Sequence, residues 1–249
     1  MYKNFISCII VLWALNFGSL SAECSANQFY GNLKGNFVYT KNDTNKSVEY
    51  FYYLPASLKN KSEYPLAVYI PGLGGDGKYC FNEAFYNFAE KNGFALASIT
   101  FKFNENDFNN KVSYQYPRAW SGKAFKDILA ELKINGVKFK DVYLIGFSAG
   151  GQFAARFSTE NPNFLKGCVI LSSGARVLPL RKQSTRFFYA VGGKDDEFRI
   201  KNYDYFVFYG VRAGLNVAGK IYPEMGHEVN SQVENDVFYF LKQVNLKKL

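Results

Sequence analysis

The stretch from Asp141 to Gly151 (DVYLIGFSAGG) constrains the fold more than any other part of the chain. A β-like run, Asp141–Phe147, ends in Gly146-Phe147-Ser148-Ala149-Gly150, and a helix-compatible segment, Ala149–Thr159, follows with no loop between. Turning a strand into a helix at one residue strains that residue's backbone, and side chains two positions to either side would collide with the turn. Glycines at 146 and 150 meet that demand, and Gly151 and Ala154 keep the start of the helix small where it approaches a sheet. Ser148 is left at the tip. The spacing of glycines around a serine is weak evidence by itself; the strand before it and the helix after it give it weight.

The rest of the chain keeps the same rhythm. Asn36–Asn42 and Val48–Pro55 read as two strands around a polar turn, and Leu66–Ile70 is a continuous apolar run, as expected of a strand buried on both faces. A helix over Phe81–Lys91 precedes a strand at Phe94–Phe101. The polar stretch Asn104–Val112 leads to a helix over Arg118–Ile134, where Trp120, Ala124, Ile128 and Leu132 recur at helical spacing. Cys168–Leu171, Phe187–Val191 and Val217–Tyr222 supply further strands, with helices over Ile200–Ala213 and Glu228–Val244. Two leading strands followed by strand–helix units predict one α/β domain, a mostly parallel central sheet with helices on both faces and an antiparallel edge.

A serine hydroxyl needs an adjacent base to act as a nucleophile. The chain has 1 histidine, His227, directly after the last predicted strand, which suits it to reach over the sheet to Ser148. A histidine in that role needs a carboxylate to fix its tautomer and stabilise its charged form. The run Phe188–Gly193 followed by Lys194-Asp195-Asp196-Glu197 offers one; Asp195 is preferred, with Asp196 a close competitor and Glu197 a distant third. Two backbone N–H groups are expected to face the oxyanion: that of Ala149, next to the serine, and that of Leu73, in Pro71-Gly72-Leu73-Gly74-Gly75 after the strand at 66–70. A phosphate-binding glycine loop is excluded there, since neither a following Lys-Ser pair nor G-x-G-x-x-G is present.

Serine, aspartate and histidine in that chain order, each after its own strand, resemble the α/β-hydrolase superfamily from Asn36 to Val244. The resemblance implies Ser148 as nucleophile, Asp195 as acid, His227 as base, and Leu73 and Ala149 as oxyanion donors. Many relatives carry a histidine where this chain has Pro71, which leaves the backbone donor but alters its loop. Only a short segment, Ser172 to Arg186, separates the sixth and seventh strands, too little for a cap domain. The chain is thus similar to small capless secreted esterases of the polyhydroxybutyrate-depolymerase and feruloyl-esterase kind. An ester substrate is implied, bulky or polymeric esters included. A peptidase or amidase would use the same residues, and a binding protein could keep the fold, although the intact set weighs against the latter. Tyr116 and Trp120, in and after the aromatic loop Asn104–Tyr116, are expected to border the substrate cleft; for Trp120 a place on its helix's apolar stripe is equally consistent.

The N-terminus bears on location. Lys3, the apolar run from Phe5 to Phe17 and the small residues Gly18 to Ala22 read as a signal peptide, cut after Ala22 and leaving residues 23–249 as the mature domain. The apolar run falls short of the roughly 20 residues a membrane span needs, so no stable membrane insertion is expected after its removal. A secreted or periplasmic protein follows; an uncleaved interfacial anchor is the competing expectation. The mature chain would hold Cys24, Cys80 and Cys168, an odd set; an oxidising compartment would permit a bridge between Cys24 and Cys80. A histidine-rich metal site is excluded, and no cofactor is expected. The formal charge of +9 comes from scattered lysines and arginines without a nucleic-acid-binding motif, so no nucleic-acid partner is expected.

Overall fold

A computed structural model of the chain describes residues 28–35, 46–102, 111–179 and 182–246. The strands are β1 (Gln28–Gly35), β2 (Lys46–Tyr53), β3 (Tyr64–Ile70), β4 (Ala95–Phe101), β5 (Phe139–Phe147), β6 (Gly167–Leu171), β7 (Arg186–Gly192) and β8 (Asn216–Tyr222). The helices are α1 (Glu83–Asn92), α2 (Ser121–Ile134), α3 (Ala149–Glu160), α4 (Glu197–Arg212) and α5 (Ser231–Leu246). All strands join one 8-stranded sheet in the order β1-β2-β4-β3-β5-β6-β7-β8. β1 pairs with β2, and β2 with β4, in antiparallel fashion, and every pairing from β4 to β8 is parallel.

The central strands are apolar throughout because both of their faces are covered. In β5, Val142 and Leu144 join one core cluster with Phe125 of α2, Phe153 of α3 and Phe206 of α4. Tyr143 and Ile145 point the other way, into a second cluster with Phe88 of α1 and Val237 of α5. This is the period-two alternation of a strand with helices on either side. The first cluster is keyed by aromatic contacts, Phe125 to Phe157 at 4.8 Å and Phe153 to Phe157 at 5.5 Å between ring centroids. Each of these rings is fully buried and contributes about 2–3 kcal/mol by leaving water.

Several helix starts differ by a few residues from those that apolar periodicity suggests, and side-chain caps set two of them. Asn82 accepts a hydrogen bond from Phe85 N (3.2 Å), so α1 begins at Glu83, and Gly93 closes it in the left-handed region (φ 69). Asn230 Oδ1 accepts from Gln232 N and Val233 N, both at 3.1 Å, and starts α5 at Ser231 rather than Glu228. α4 begins three residues before the expected Ile200, immediately after the acidic pair Asp195-Asp196. The first strand of the antiparallel edge is β1, at Gln28–Gly35; the strand expected at Asn36–Asn42 lies outside the described residues. Between β6 and β7 the described residues carry no helix and no strand. No helix among the described residues is long and apolar enough to cross a membrane.

Candidate active site

Ser148 stands between β5 and α3 with φ 54 and ψ −112, a conformation that costs a residue bearing a side chain on the order of 1–3 kcal/mol. Its surroundings hold it there. Ser148 N donates to Leu171 O of β6 (2.9 Å), and Ser148 O accepts from Gln152 N (3.0 Å), opening the helix. The flanking glycines leave no room for anything larger. A Cβ on Gly146 would lie 2.2 Å from Gly150 O, and one on Gly150 would lie 2.0 Å from Ile70 O. The turn is thus wedged between β3 and its own helix.

His227 follows β8, and its Nε2 lies 2.9 Å from Ser148 Oγ. Its Nδ1 lies 2.9 Å from Asp195 Oδ2. The imidazole stacks on Phe147, with centroids 5.0 Å apart and planes inclined by 29°. Asp195 sits in the turn after β7 with its side chain fully inaccessible (0%), and its other oxygen accepts from Asp196 N at 2.8 Å. The competitors are elsewhere: Asp196 has a 65% exposed side chain that pairs with Arg199 at 2.8 Å, and Glu197 pairs with Lys201 at 2.7 Å. Burial and contact thus separate Asp195 from its neighbours. Two backbone hydrogen bonds, Gly193 N to Tyr222 O (2.7 Å) and Lys194 N to Met225 O (2.9 Å), join the aspartate's turn to the histidine's.

The loop after β3 approaches from the opposite side. Gly72 packs so closely that a Cβ there would lie 3.3 Å from Ser148 Cβ and 3.4 Å from Phe147 Cδ1. Gly75 N donates to Gly72 O (3.0 Å), closing a turn whose third residue, Gly74, has φ +71. Leu73 therefore occupies the apex of this turn. The N–H groups of Leu73 and Ala149 have no acceptor among the described residues. Hydrogen bonds fix the loop to β4: Gly77 N donates to Thr100 Oγ1 (2.8 Å) and Ser98 Oγ donates to Gly77 O (2.6 Å). Beside it lies a cavity of about 410 Å³, lined in part by Gly72, Leu73, Tyr79, Phe147 and Val229. Cys80 also borders this cavity; burial pushes its thiol up to about 12, and its sulfur lies 3.7 Å from Asp76 O. Cys24 lies outside the described residues.

The two residues expected at the cleft border part company. Trp120 is 5% exposed, donates its indole N–H to Val112 O (2.9 Å) and meets Phe101 edge-on at 5.6 Å. It is a core residue at the N-cap of α2, one position before the helix begins at Ser121. Tyr116 is half-buried and lies over the Arg156 guanidinium, 4.0 Å from ring centroid to Cζ. It borders a second groove rather than the cavity by Leu73. Sequence reasoning missed Arg199, whose Nη1 is 3.9 Å from Asp195 Oδ1 while it pairs with Asp196. Its spacing of four residues from Asp195, across a helix start, was the available signal.

No protein-family profile matches the chain, and no curated protein matches it. Solved structures do. A ferulic acid esterase superposes with a TM-score of 0.62 at 12% identity, covering 88% of this chain and 97% of its own. A fluorophosphonate-binding serine hydrolase of Staphylococcus aureus gives 0.61 at 12% identity, covering 89% and 100%. The poly(3-hydroxybutyrate) depolymerase LpqC of Bordetella parapertussis gives 0.58 at 15% identity, covering 82% and 86%. The fold of this chain is the α/β-hydrolase fold. At such identities the likeness speaks for the fold alone, and the chemistry has to be argued from the side chains.

Proposed function

We propose that this protein is an exported serine hydrolase that cleaves carboxylic esters through an acyl-enzyme intermediate. The observation that carries the proposal is the unbroken relay Ser148 Oγ, His227 and Asp195, with both contacts at 2.9 Å. Ser148 Oγ attacks the ester carbonyl as His227 Nε2 takes its proton. Asp195, inaccessible to water, holds Nδ1 protonated and stabilises the imidazolium. The oxyanion is received by the N–H groups of Leu73 and Ala149, each such donor being worth about 3 kcal/mol in the transition state. The imidazolium then protonates the departing alkoxide, the acyl-serine forms, and water activated by the same His227 releases the acid. The cavity beside Leu73 and Phe147 is suited to one arm of the substrate, and the uncapped rim to bulky or polymeric esters.

Likeness to solved esterases and serine hydrolases supports the class of reaction. The test is labelling of the folded protein with a fluorophosphonate, followed by turnover on p-nitrophenyl acetate and on the matching anilide. The expected result is a single adduct on the peptide bearing Ser148, and ester turnover far above anilide turnover. Absence of that adduct would refute the nucleophile, and faster anilide cleavage would replace esterase by amidase. Export is tested by the N-terminus of protein recovered outside the cytoplasm, expected at Glu23; residues 1–22 retained on that protein would refute removal of the leader.

A further inference from the structure

A groove of about 660 Å³ lies along the open side of α3, distinct from the cavity beside Leu73. Lys111, Arg118, Arg156 and Arg176 line it, against Glu160 as its carboxylate. Glu160 is engaged by Arg118 at 3.2 Å. Lys111, Arg156 and Arg176 form no ion pair among the described residues. The groove therefore holds three cations outside any ion pair, with Glu160 acting on Arg156 at longer range as well as on Arg118.

Arg156 is the most informative of them. One of its nitrogens, Nη1, donates to Gln115 O (2.8 Å) and Gln152 Oε1 (3.2 Å), and Tyr116 covers one face of its guanidinium. Its Nε and Nη2 have no acceptor among the described residues. Burial pulls its pKa down, the signature of a cation partly stripped of water without full compensation. A guanidinium seated over a ring at 4.0 Å, with Nε and Nη2 unused, keeps donors available to grip an oxyanion.

The groove also has a fixed relation to the nucleophile. Gln152 and Arg156 are four residues apart on one face of α3 and meet at 3.2 Å, and the helix begins at Ala149, immediately after Ser148. At 1.5 Å per residue, Arg156 lies about 12 Å along the axis from Ser148. We propose that this groove is an anion subsite, receiving an acidic group at the far end of an ester whose carbonyl is attacked by Ser148. The preferred substrates are then esters that carry a carboxylate or similar anion well away from the scissile bond. Arg156 and Arg176 would hold the acid, and Lys111 would supply further attraction at longer range.

The proposal rests on Ser148 opening an ester, and its test separates the two. The mature protein and its Arg156→Gln/Arg176→Gln variant are assayed on two p-nitrophenyl esters of equal chain length. One is the monoester of decanedioic acid, with a free carboxylate at its end, and the other is the decanoate. Wild type is expected to favour the carboxylate ester at least tenfold in kcat/KM at low salt, through KM, and added salt should shrink the preference. The double variant should bring the ratio close to one. Equal rates in wild type, or a preference that survives the double substitution, overturns the subsite. Arg176→Gln alone, on the exposed loop after β6, should lower the ratio severalfold if the double variant does not fold; an unchanged ratio in that variant counts against the subsite. If neither ester is hydrolysed by wild type, the hydrolase proposal fails. The groove is then judged by calorimetry with the decanedioate dianion: binding lost in the variant upholds it, and absent or unaltered binding overturns it.

Discussion

The turn at Ser148 and the joined turns of Asp195 and His227 are both wedged sterically, and the second pair adds polar control. Around Ser148 the control is steric: backbone carbonyls of Ile70 and Gly150 lie where any Cβ on Gly150 or Gly146 would have to go. Around Asp195 and His227 a similar wedge exists, since a Cβ on Gly192 would lie 2.2 Å from both Met225 O and Gly226 O, and polar contacts are added to it. Gly193 and Lys194 are hydrogen-bonded to the carbonyls of Tyr222 and Met225, and Asp195 accepts from Asp196 N. Steric control tolerates no added atom but survives loss of the serine hydroxyl. The turns of Asp195 and His227 depend in addition on single hydrogen bonds and on charge.

Five substitutions test that contrast. Ser148→Ala removes the hydroxyl proposed to react without touching the wedge, so ester turnover should fall by about 10⁶ while the melting temperature holds. Retention of a few per cent of turnover, or a large drop in stability, would break the comparison on the steric side. Asp195→Asn should cost roughly 10⁴ in rate, because the imidazole loses the partner that sets its tautomer. Asp196→Asn, at a side chain 65% exposed, should cost less than about tenfold, and steady-state kinetics on one ester gives the ranking.

Gly150→Ala drives a methyl group into Ile70 O and Pro71 O, and no flexible side chain stands there to yield. A loss of about 4 kcal/mol, near 10³ in the folding constant, is expected from denaturant titration. The smallest effect belongs to Asp236 on α5, whose Oδ2 accepts from Tyr222 Oη and Lys220 Nζ, both at 2.6 Å. It anchors β8 just before the histidine's turn. Burial alone would raise the Asp236 pKa, yet the hydrogen bonds from Lys220 and Tyr222 and the charge of Lys220 together hold it below the ordinary 3.8. Its folded value being depressed, its contribution is present above pH 3.8 and is lost as pH falls through the lower folded value. Asp236→Asn should therefore cost about 1 kcal/mol at pH 7, and the gap to wild type should close in acid. A constant gap across that range would show that the anchor is not electrostatic.

The same contrast explains what was legible in the sequence. Steric demands leave glycines, and glycines are visible: the elbow, its helix and the turn at Leu73 could be read directly from residues 72–75 and 146–151. The central strands were equally plain, because burial on both faces leaves uninterrupted apolar runs at β3, β6 and β7. Polar arrangements are harder to see. Asp195 and Asp196 are adjacent and chemically alike, and only the direction of the turn after β7 buries one and exposes the other. β1, with its polar sequence QFYGNLKG at the sheet's edge, has no apolar run to announce it. Trp120 satisfied a loop pattern and a helix pattern at once; it stands at the N-cap of α2, buried against Phe101. Arg156 looked like one more scattered cation until its carbonyl partners and the ring of Tyr116 were in view.

The hydrogen bonds between the turns of Asp195 and His227 have a mechanical consequence. β7 and β8 are adjacent in the sheet, so the separation between acid and base is a local length, fixed by a few backbone contacts. The separation between base and serine is a long one, set across β6 and β7 by three strand spacings of about 4.8 Å each. Any shear or change of twist in the sheet must therefore accumulate at the contact between His227 and Ser148 while leaving that between His227 and Asp195 intact. The backbone ladder of β6, paired with β5 on one side and β7 on the other, is thus part of the ruler that sets the gap between Ser148 and His227.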